Sequence, residues 1–429
     1  MKVILCKGQI FESISGADEI LVNYATHLHH SGHSVTVLLL YPCSPQNEYY
    51  IRLRRCGVHV RAVAPTSAGT FLGVGRKITS GLLNTFPASR YLVRRHAQKL
   101  TTNIASGYYE QCRSFFERSG ADLVHAITPD PGAMVMISAA HAARIPVIYQ
   151  EVGTPYHPPE YENYYEQFTS VLPLCAEVAA LSPSLARQCR EKLLNRYRQL
   201  SVLPIMIEEM NGHHHAEARA PSSEVRIGFA ARIEHLKGPM VLLEAFAAAS
   251  RTCDGLRLMV AGAGTLEQKI AARARALGVA SRCEFLGVYL RPEERQAFMQ
   301  RLDIFALPSL TEGTPNSIIE AMSHGLPVVA SAVGGIPDMI TQDTGLLVPP
   351  NDAATLAEAI TVLARDAGLR EQMGRAARER YRKLFSPGVV LPVLLNTYRR
   401  VSAAETTTAP PLSDAAHPWA LEEAAYLTV

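Results

Sequence analysis

The stretch Val225-Arg226-Ile227-Gly228-Phe229-Ala230-Ala231-Arg232-Ile233-Glu234-His235-Leu236-Lys237-Gly238 decides the architecture of this chain. Val225 to Phe229 reads as a strand. Polar residues interrupt it, and Gly238 to Ser250 then repeats apolar residues at helical spacing. Leu256 to Ala261 returns as a strand. Strand, turn, helix and strand in that order form one unit of a parallel sheet covered by helices. Glu284 to Leu286, Leu302 to Leu307, a helix around Ile318 to Ser323 and a strand Pro327 to Ala330 continue the alternation.

The first half repeats the pattern. Val3 to Cys6 reads as a strand and a loop follows through Gly16. Ala17 to Ser31 places Ile20, Leu21, Tyr24, Ala25 and Leu28 on one helical face, and Gly32 supplies the left-handed residue that ends it. Ser34 to Leu40 is the next strand, with further strands at Leu123 to Ile127, Pro146 to Tyr149, Val178 to Leu181 and Val202 to Pro204. Ile207 to Ser223 is polar and aperiodic, which is linker composition. Its His213, His214 and His215 lack the spacing that fixes a metal site. The expected organisation is an α/β domain over 1–206, a linker over 207–223 and a second α/β domain over 224–385. Residues 406–429, rich in Thr, Ala and Pro, are expected to be a disordered tail. Ligands of such sheets bind beyond the carboxyl ends of the strands, so the cleft between the domains is the place for a site.

The bulk numbers agree with two well-filled domains. The chain has 429 residues, 48% hydrophobic and 19% charged. No stretch approaches the roughly 20 apolar residues of a membrane span, and the start lacks the pattern of a secretory signal. Eight cysteines are scattered without a Cys-x-x-Cys pair, so no disulfide framework is expected and the compartment reads as cytoplasmic. The net charge of +3 conceals a block: residues 49–109 hold ten Arg and Lys and no Asp or Glu. This block is either a solvated face or a peripheral contact with anionic membrane. Its aromatics Phe71, Phe86 and Tyr91 carry no RNA-binding signature, so nucleic acid is not an expected partner. Oligomeric state is not legible.

Chemistry concentrates in the second half. Arg232 and Lys237 follow a strand at its carboxyl end, where the next helix starts, a fork and a point charge suited to a diphosphate. The segment Leu307-Pro308-Ser309-Leu310-Thr311-Glu312-Gly313-Thr314-Pro315-Asn316-Ser317-Ile318-Ile319-Glu320-Ala321-Met322 puts Glu312 on a loop and Glu320 one turn into a helix. The turn Gly313, Thr314, Pro315, Asn316 and Ser317 opens that helix, whose first amides form an anion site. Glu320 falls among Ile318, Ile319 and Met322, where an unpaired carboxylate is costly, so a polar ligand is expected for it.

These residues resemble family 4 glycosyltransferases, retaining enzymes of the two-lobed GT-B fold, in which two Rossmann-like domains face a central cleft. Glu312 to Glu320 is similar to the family's Glu-x7-Glu signature, and Arg232 to Gly238 to its Arg-x4-Lys-Gly. Gly262-Ala263-Gly264, Ala321 to Ala330, Gly334 to Pro337 and Thr344 to Pro350 are similar as well. The resemblance is dense over Val225 to Phe385. It implies that Arg232 and Lys237 hold the donor diphosphate, Glu312 the hydroxyls of the transferred sugar, and Glu320 the nucleotide ribose. Gly16, in Ser15-Gly16-Ala17-Asp18, would approach the diphosphate from the other lobe, with Ser15 in place of a second glycine. Gly313, Thr314, Pro315, Asn316 and Ser317 would line the sugar and phosphates.

On the acceptor side, His125 and Glu151 are candidates, although Ile127 and Val152 stand where the family often carries histidines. Residues 386–405 are similar to a helix that returns to the first lobe. The resemblance further implies transfer with retention from a nucleotide sugar, most commonly UDP-linked, to an acceptor hydroxyl. No acidic metal motif is present, so no cofactor is expected beyond that co-substrate. The acceptor is read as a lipid-linked or surface-polysaccharide precursor, which would place the protein at the inner face of a membrane. A soluble metabolite acceptor, or a nucleotide-sugar-binding protein without activity, are the alternatives.

Overall fold

Lys2–Lys7 (β1) buries every residue after the first, as a strand does when helices cover both faces of its sheet. In the computed structural model this strand is the third of a seven-stranded sheet. The structure describes residues 1–11, 15–65, 100, 103–153, 162–193, 196–209, 224–289 and 291–404. The first sheet continues with Ser34–Leu39 (β2), His59–Ala62 (β3), Leu123–Ile127 (β4), Val147–Glu151 (β5), Glu177–Ala180 (β6) and Leu200–Val202 (β7). The order is β3-β2-β1-β4-β5-β6-β7, with every neighbouring pair parallel.

The second sheet contains Val225–Ala230 (β8), Leu256–Ala261 (β9), Cys283–Gly287 (β10), Ile304–Leu307 (β11), Val328–Ser331 (β12) and Gly345–Val348 (β13). Its order is β10-β9-β8-β11-β12-β13, again all parallel. Strand order reverses between β1 and β4 in one sheet and between β8 and β11 in the other. These switch points open crevices at the carboxyl ends of their strands, and the loops carrying Gly16, Arg232 and Glu312 all leave from them.

Two expectations are corrected in the segment joining the sheets. The strand expected at Val202 to Pro204 ends at Val202, because the next carbonyls are claimed by side chains: Gln150 donates to Leu203 O at 2.9 Å and Tyr24 to Pro204 O at 2.7 Å. The start of the expected linker is packed structure. Ile207 is buried, its amide donates to Phe385 O at 3.1 Å, and its carbonyl accepts from Tyr381 at 2.8 Å. Glu209 pairs with Arg378 and Arg382. The rest of that linker, with His213 to His215, and the tail over 406–429 lie outside the described residues.

Helix Pro387–Ala404 crosses back onto the first sheet, burying Val390, Leu394, Tyr398 and Val401 against β4 and helix Gly16–His30. All eight cysteines are free thiols. Among the described residues no helix is long and apolar enough to cross a membrane. Of the basic block, Arg52, Arg54, Arg55 and Arg61 are described. Arg76, Lys77, Arg90, Arg94, Arg95 and Lys99 lie outside the described residues.

Candidate active site

The Arg232 loop is shaped by two glycines from the neighbouring strand end. Gly262 has φ +136°, and a Cβ there would stand 1.9 Å from Ala231 O. A Cβ on Gly264 would stand 2.5 Å from Ile233 O. Only glycine lets the loop after β9 lie this close beneath the loop after β8. Lys237 ends a single turn, His235–Lys237, and Gly238 follows it with φ +67°, pressed against Pro308 O. The Lys237 ammonium is thereby brought to the loop after β11, where Nζ lies 2.6 Å from Glu312 Oε1. Ser309 Oγ donates to the same oxygen at 2.7 Å.

Beyond Glu312 the chain turns into helix Asn316–Ser323. No side chain caps this helix; Ile318 N turns back to Pro315 O at 3.1 Å, and the first two residues, Asn316 and Ser317, line the cleft. Gly313, Thr314, Pro315, Asn316 and Ser317 line a cavity of about 620 Å³, together with Arg232, Lys237, Glu312 and Glu320. A volume of this size suits a drug-sized or cofactor-sized ligand. The first lobe supplies the facing wall with Ser15, Gly16, Glu19 and Val152.

The lobes touch at the rim. Asn316 Nδ2 donates to Gly16 O at 3.2 Å. A Cβ on Gly313 would stand 2.5 Å from Val152 O. Ser184, in the first turn of helix Pro183–Lys192, donates through N and Oγ to the Asp338 carboxylate at 2.7 and 2.8 Å. Ser15 adopts an extended backbone with φ −136° and caps helix Gly16–His30 by accepting from Asp18 N. Beneath it, buried Lys7 and Asp18 form an ion pair, and Asp18 also accepts from Phe11 N at 3.1 Å.

Comparison with known proteins bears on this arrangement. A family profile described as "Glycosyl transferases group 1" matches residues 224–366, and one described as "Glycosyl transferase 4-like domain" matches residues 15–205. The two matches fall one on each lobe, and both describe glycosyltransferase domains. A D-inositol 3-phosphate glycosyltransferase of Saccharomonospora viridis is 35% identical over 220 residues, covering 47% of this chain and 50% of the relative. The chain spans about half the length, or less, of the first such relatives it matches. Among solved structures, HepE from Anabaena in complex with UDP and glucose has a TM-score of 0.67 at 18% identity, covering 93% of this chain and 99% of that one. Sucrose-phosphate synthase from Thermosynechococcus elongatus reaches 0.70 at 19% identity, covering 94% and 99%. The fold is GT-B, two Rossmann-like lobes facing a cleft.

The expected donor-side residues gather around one cavity, and the expected acceptor-side residues do not. His125 is a correction: it lies in the core of the first lobe, fully buried. Its Nδ1 is 2.7 Å from the Tyr398 hydroxyl, and its ring stacks on Tyr24 with centroids 5.8 Å apart. Burial pushes its imidazole down to about 3, so it is neutral. Glu151 also sits behind the cleft wall rather than on it. It accepts from the Tyr149 hydroxyl at 2.8 Å and from Gly153 N at 3.1 Å, and burial pushes its carboxyl up to about 7 against those hydrogen bonds.

Glu320, expected to hold a polar ligand, also has a partner within the protein: Arg295 Nη1 lies 2.6 Å from its Oε1. Arg295 itself was missed. The signal for it is helical spacing: Arg295, Phe298 and Met299 share the buried face of helix Pro292–Gln300. An arginine on that face calls for a buried carboxylate. Among the described residues no group of His, Cys, Asp and Glu is arranged to hold a metal ion.

Proposed function

We propose that this protein is a retaining, family 4 type glycosyltransferase that moves a sugar from a UDP-linked donor to an acceptor hydroxyl. The observation that carries the reading is the convergence of Arg232, Lys237, Glu312 and the start of helix Asn316–Ser323 on one cavity. Two cations and a row of amides suit a diphosphate, and two carboxylates beside them suit hydroxyls. In the reaction, the bond from the anomeric carbon to the diphosphate oxygen breaks as charge develops on that oxygen. Arg232, Lys237 and the helix-start amides stabilise this charge from fixed positions. The acceptor oxygen bonds to the anomeric carbon on the same face, and its proton passes to the departing diphosphate. Closure of the lobes keeps water from the donor.

The cationic pair takes the charge-neutralising part that a divalent ion plays elsewhere, so turnover is expected to persist in excess chelator. For the acceptor, the basic segment 49–109 supports a lipid-linked precursor at the cytoplasmic face of a membrane, although Arg52 is engaged by Glu19 and unavailable to lipid. Indifference to anionic liposomes at low salt would remove that part of the proposal.

The deciding experiment follows thermal stability and nucleotide release across a panel of nucleotide sugars, with Glu320→Ala and Lys237→Ala alongside. One donor should raise the melting temperature of the native protein by mass action, and both substitutions should abolish the shift. No response to any donor would leave a binding-incompetent GT-B fold and overturn the proposal.

A further inference from the structure

Four charged side chains run in alternation from one lobe to the other. Arg52 donates through Nη1 and Nη2 to the two Glu19 oxygens at 2.8 Å each. Arg295 Nη1 lies 3.3 Å from Glu19 Oε1 and 2.6 Å from Glu320 Oε1. Arg52 and Glu19 belong to the first lobe, on helices Glu48–Arg55 and Gly16–His30; Arg295 and Glu320 belong to the second. Glu19, Arg295 and Glu320 are buried, and all three line the cavity.

Two features set this chain apart from an ordinary structural ion pair. The inter-lobe link is the longest of the three. Breaking it leaves each lobe with one complete, neutral pair: Arg52 with Glu19, and Arg295 with Glu320. Parting the lobes therefore strands no buried charge, which is the condition for a reversible latch. The second feature is the state of the carboxylates. Burial opposes ionisation of Glu19, yet the two guanidinium groups hold it down at about 2. Burial raises Glu320, the Glu19 charge raises it further, and Arg295 is the larger of the two cations that oppose them, ahead of Arg52. Glu320 depends on Arg295 to remain an acceptor, and Arg295 is itself aligned by Glu19.

We propose that Arg295 is a positioning residue that holds the Glu320 carboxylate for the vicinal hydroxyls of a donor ribose and, by sharing Glu19, couples occupancy of that subsite to closure of the lobes. This rests on the donor reading above. The step involves hydrogen bonds only, and no covalent change.

The test uses the full chain, UDP as probe, calorimetry for affinity and small-angle scattering for lobe separation. The variants are Glu19→Gln, Arg295→Lys, Arg295→Met and the double Glu19→Gln/Arg295→Met. Arg295→Met should weaken UDP by about tenfold or more, and Arg295→Lys should recover part of the loss, since a cation again faces Glu320. Glu19→Gln should weaken UDP by about fivefold and raise the radius of gyration measured without UDP. In the Arg295→Met background Glu19→Gln should add nothing; an undiminished effect there means direct contact of Glu19 with the nucleotide and overturns the coupling. Affinities within twofold of native in both single variants overturn it too. So does a Glu19→Gln protein that opens yet binds UDP as the native does, since the network would then be only a clasp. Should Arg295→Met fail to fold, Glu19→Gln with Arg295→Lys decides. If the native protein binds no nucleoside diphosphate, the donor reading fails, and unchanged scattering of Glu19→Gln would then sink the latch separately.

Discussion

Lys237 Nζ and Glu312 Oε1 lie 2.6 Å apart, joining the loop after β8 to the loop after β11. The contact spans the switch point of the second sheet, so it sets the separation of the two loops that would embrace a diphosphate. Replacing Lys237 with Ala removes a charge from the proposed transition-state cradle and leaves the hydrogen bond from Ser309 Oγ to Glu312 in place. A loss of about 10²- to 10³-fold in kcat/KM for the donor is expected, the scale seen when one preplaced donor is removed. Steady-state nucleotide release measures it, and a loss below about threefold would take Lys237 out of the mechanism.

Gly313 and Gly16 face the opposite lobe with different amounts of room. A Cβ on Gly313 would meet backbone, Val152 O at 2.5 Å, whereas a Cβ on Gly16 would meet the Asn316 side chain at an ordinary 3.6 Å. Gly313→Ala should therefore wedge the lobes apart and reduce kcat/KM by about 10²-fold, as small misplacements of reacting groups do. Gly16→Ala should be tolerated within a few fold. Equal effects of the two substitutions would contradict the closed geometry.

His125 is neutral in the folded chain because burial pushes it down to about 3, while in the unfolded chain it titrates near 6.5. The unfolded state thus binds the extra proton first, and stability falls as pH drops from about 6.5 toward 3, by up to about 1.4 kcal/mol per pH unit from this residue. His125→Phe should flatten the melting temperature against pH in that window and leave KM for the donor unchanged. A variant as pH-sensitive as the native protein, or with altered KM, would refute the core assignment.

Glu151 titrates the other way. Burial pushes its folded carboxyl up to about 7 from the ordinary 4.5, so the folded state keeps its proton longer. Above pH 4.5 the unfolded state gains by ionising, and the destabilisation grows until about pH 7. Glu151→Gln retains an acceptor for Gly153 N, and should raise the melting temperature at pH 8 while changing little near pH 4.5. A fall at pH 8 would indicate that the charged form is the one the fold requires.

Much of the architecture is legible along the chain because parallel strands buried on both faces read as continuous apolar runs, as in Val3 to Cys6 and Leu258 to Ala261. Glycines at strand ends and the Glu312 to Glu320 spacing mark the loops that line the cavity. Legibility fails where a residue's role depends on what packs against it from far along the sequence. His125 looks like a site residue at a strand end until Tyr398, from the last described helix, closes over it. Ile207 looks like the start of a linker until Phe385 and Tyr381 take its backbone groups.

Local sequence determined which segments became strands and helices and which loops carried Arg232, Lys237 and Glu312, because periodicity and turn chemistry act over a few residues. Only the tertiary structure decided the partners of the buried charges. Glu19 and Arg295 are 276 residues apart, and nothing in either neighbourhood specifies the other. The low-polarity interior selects such pairs after the lobes have come together, since an ion buried there without its counter-charge would not remain ionised.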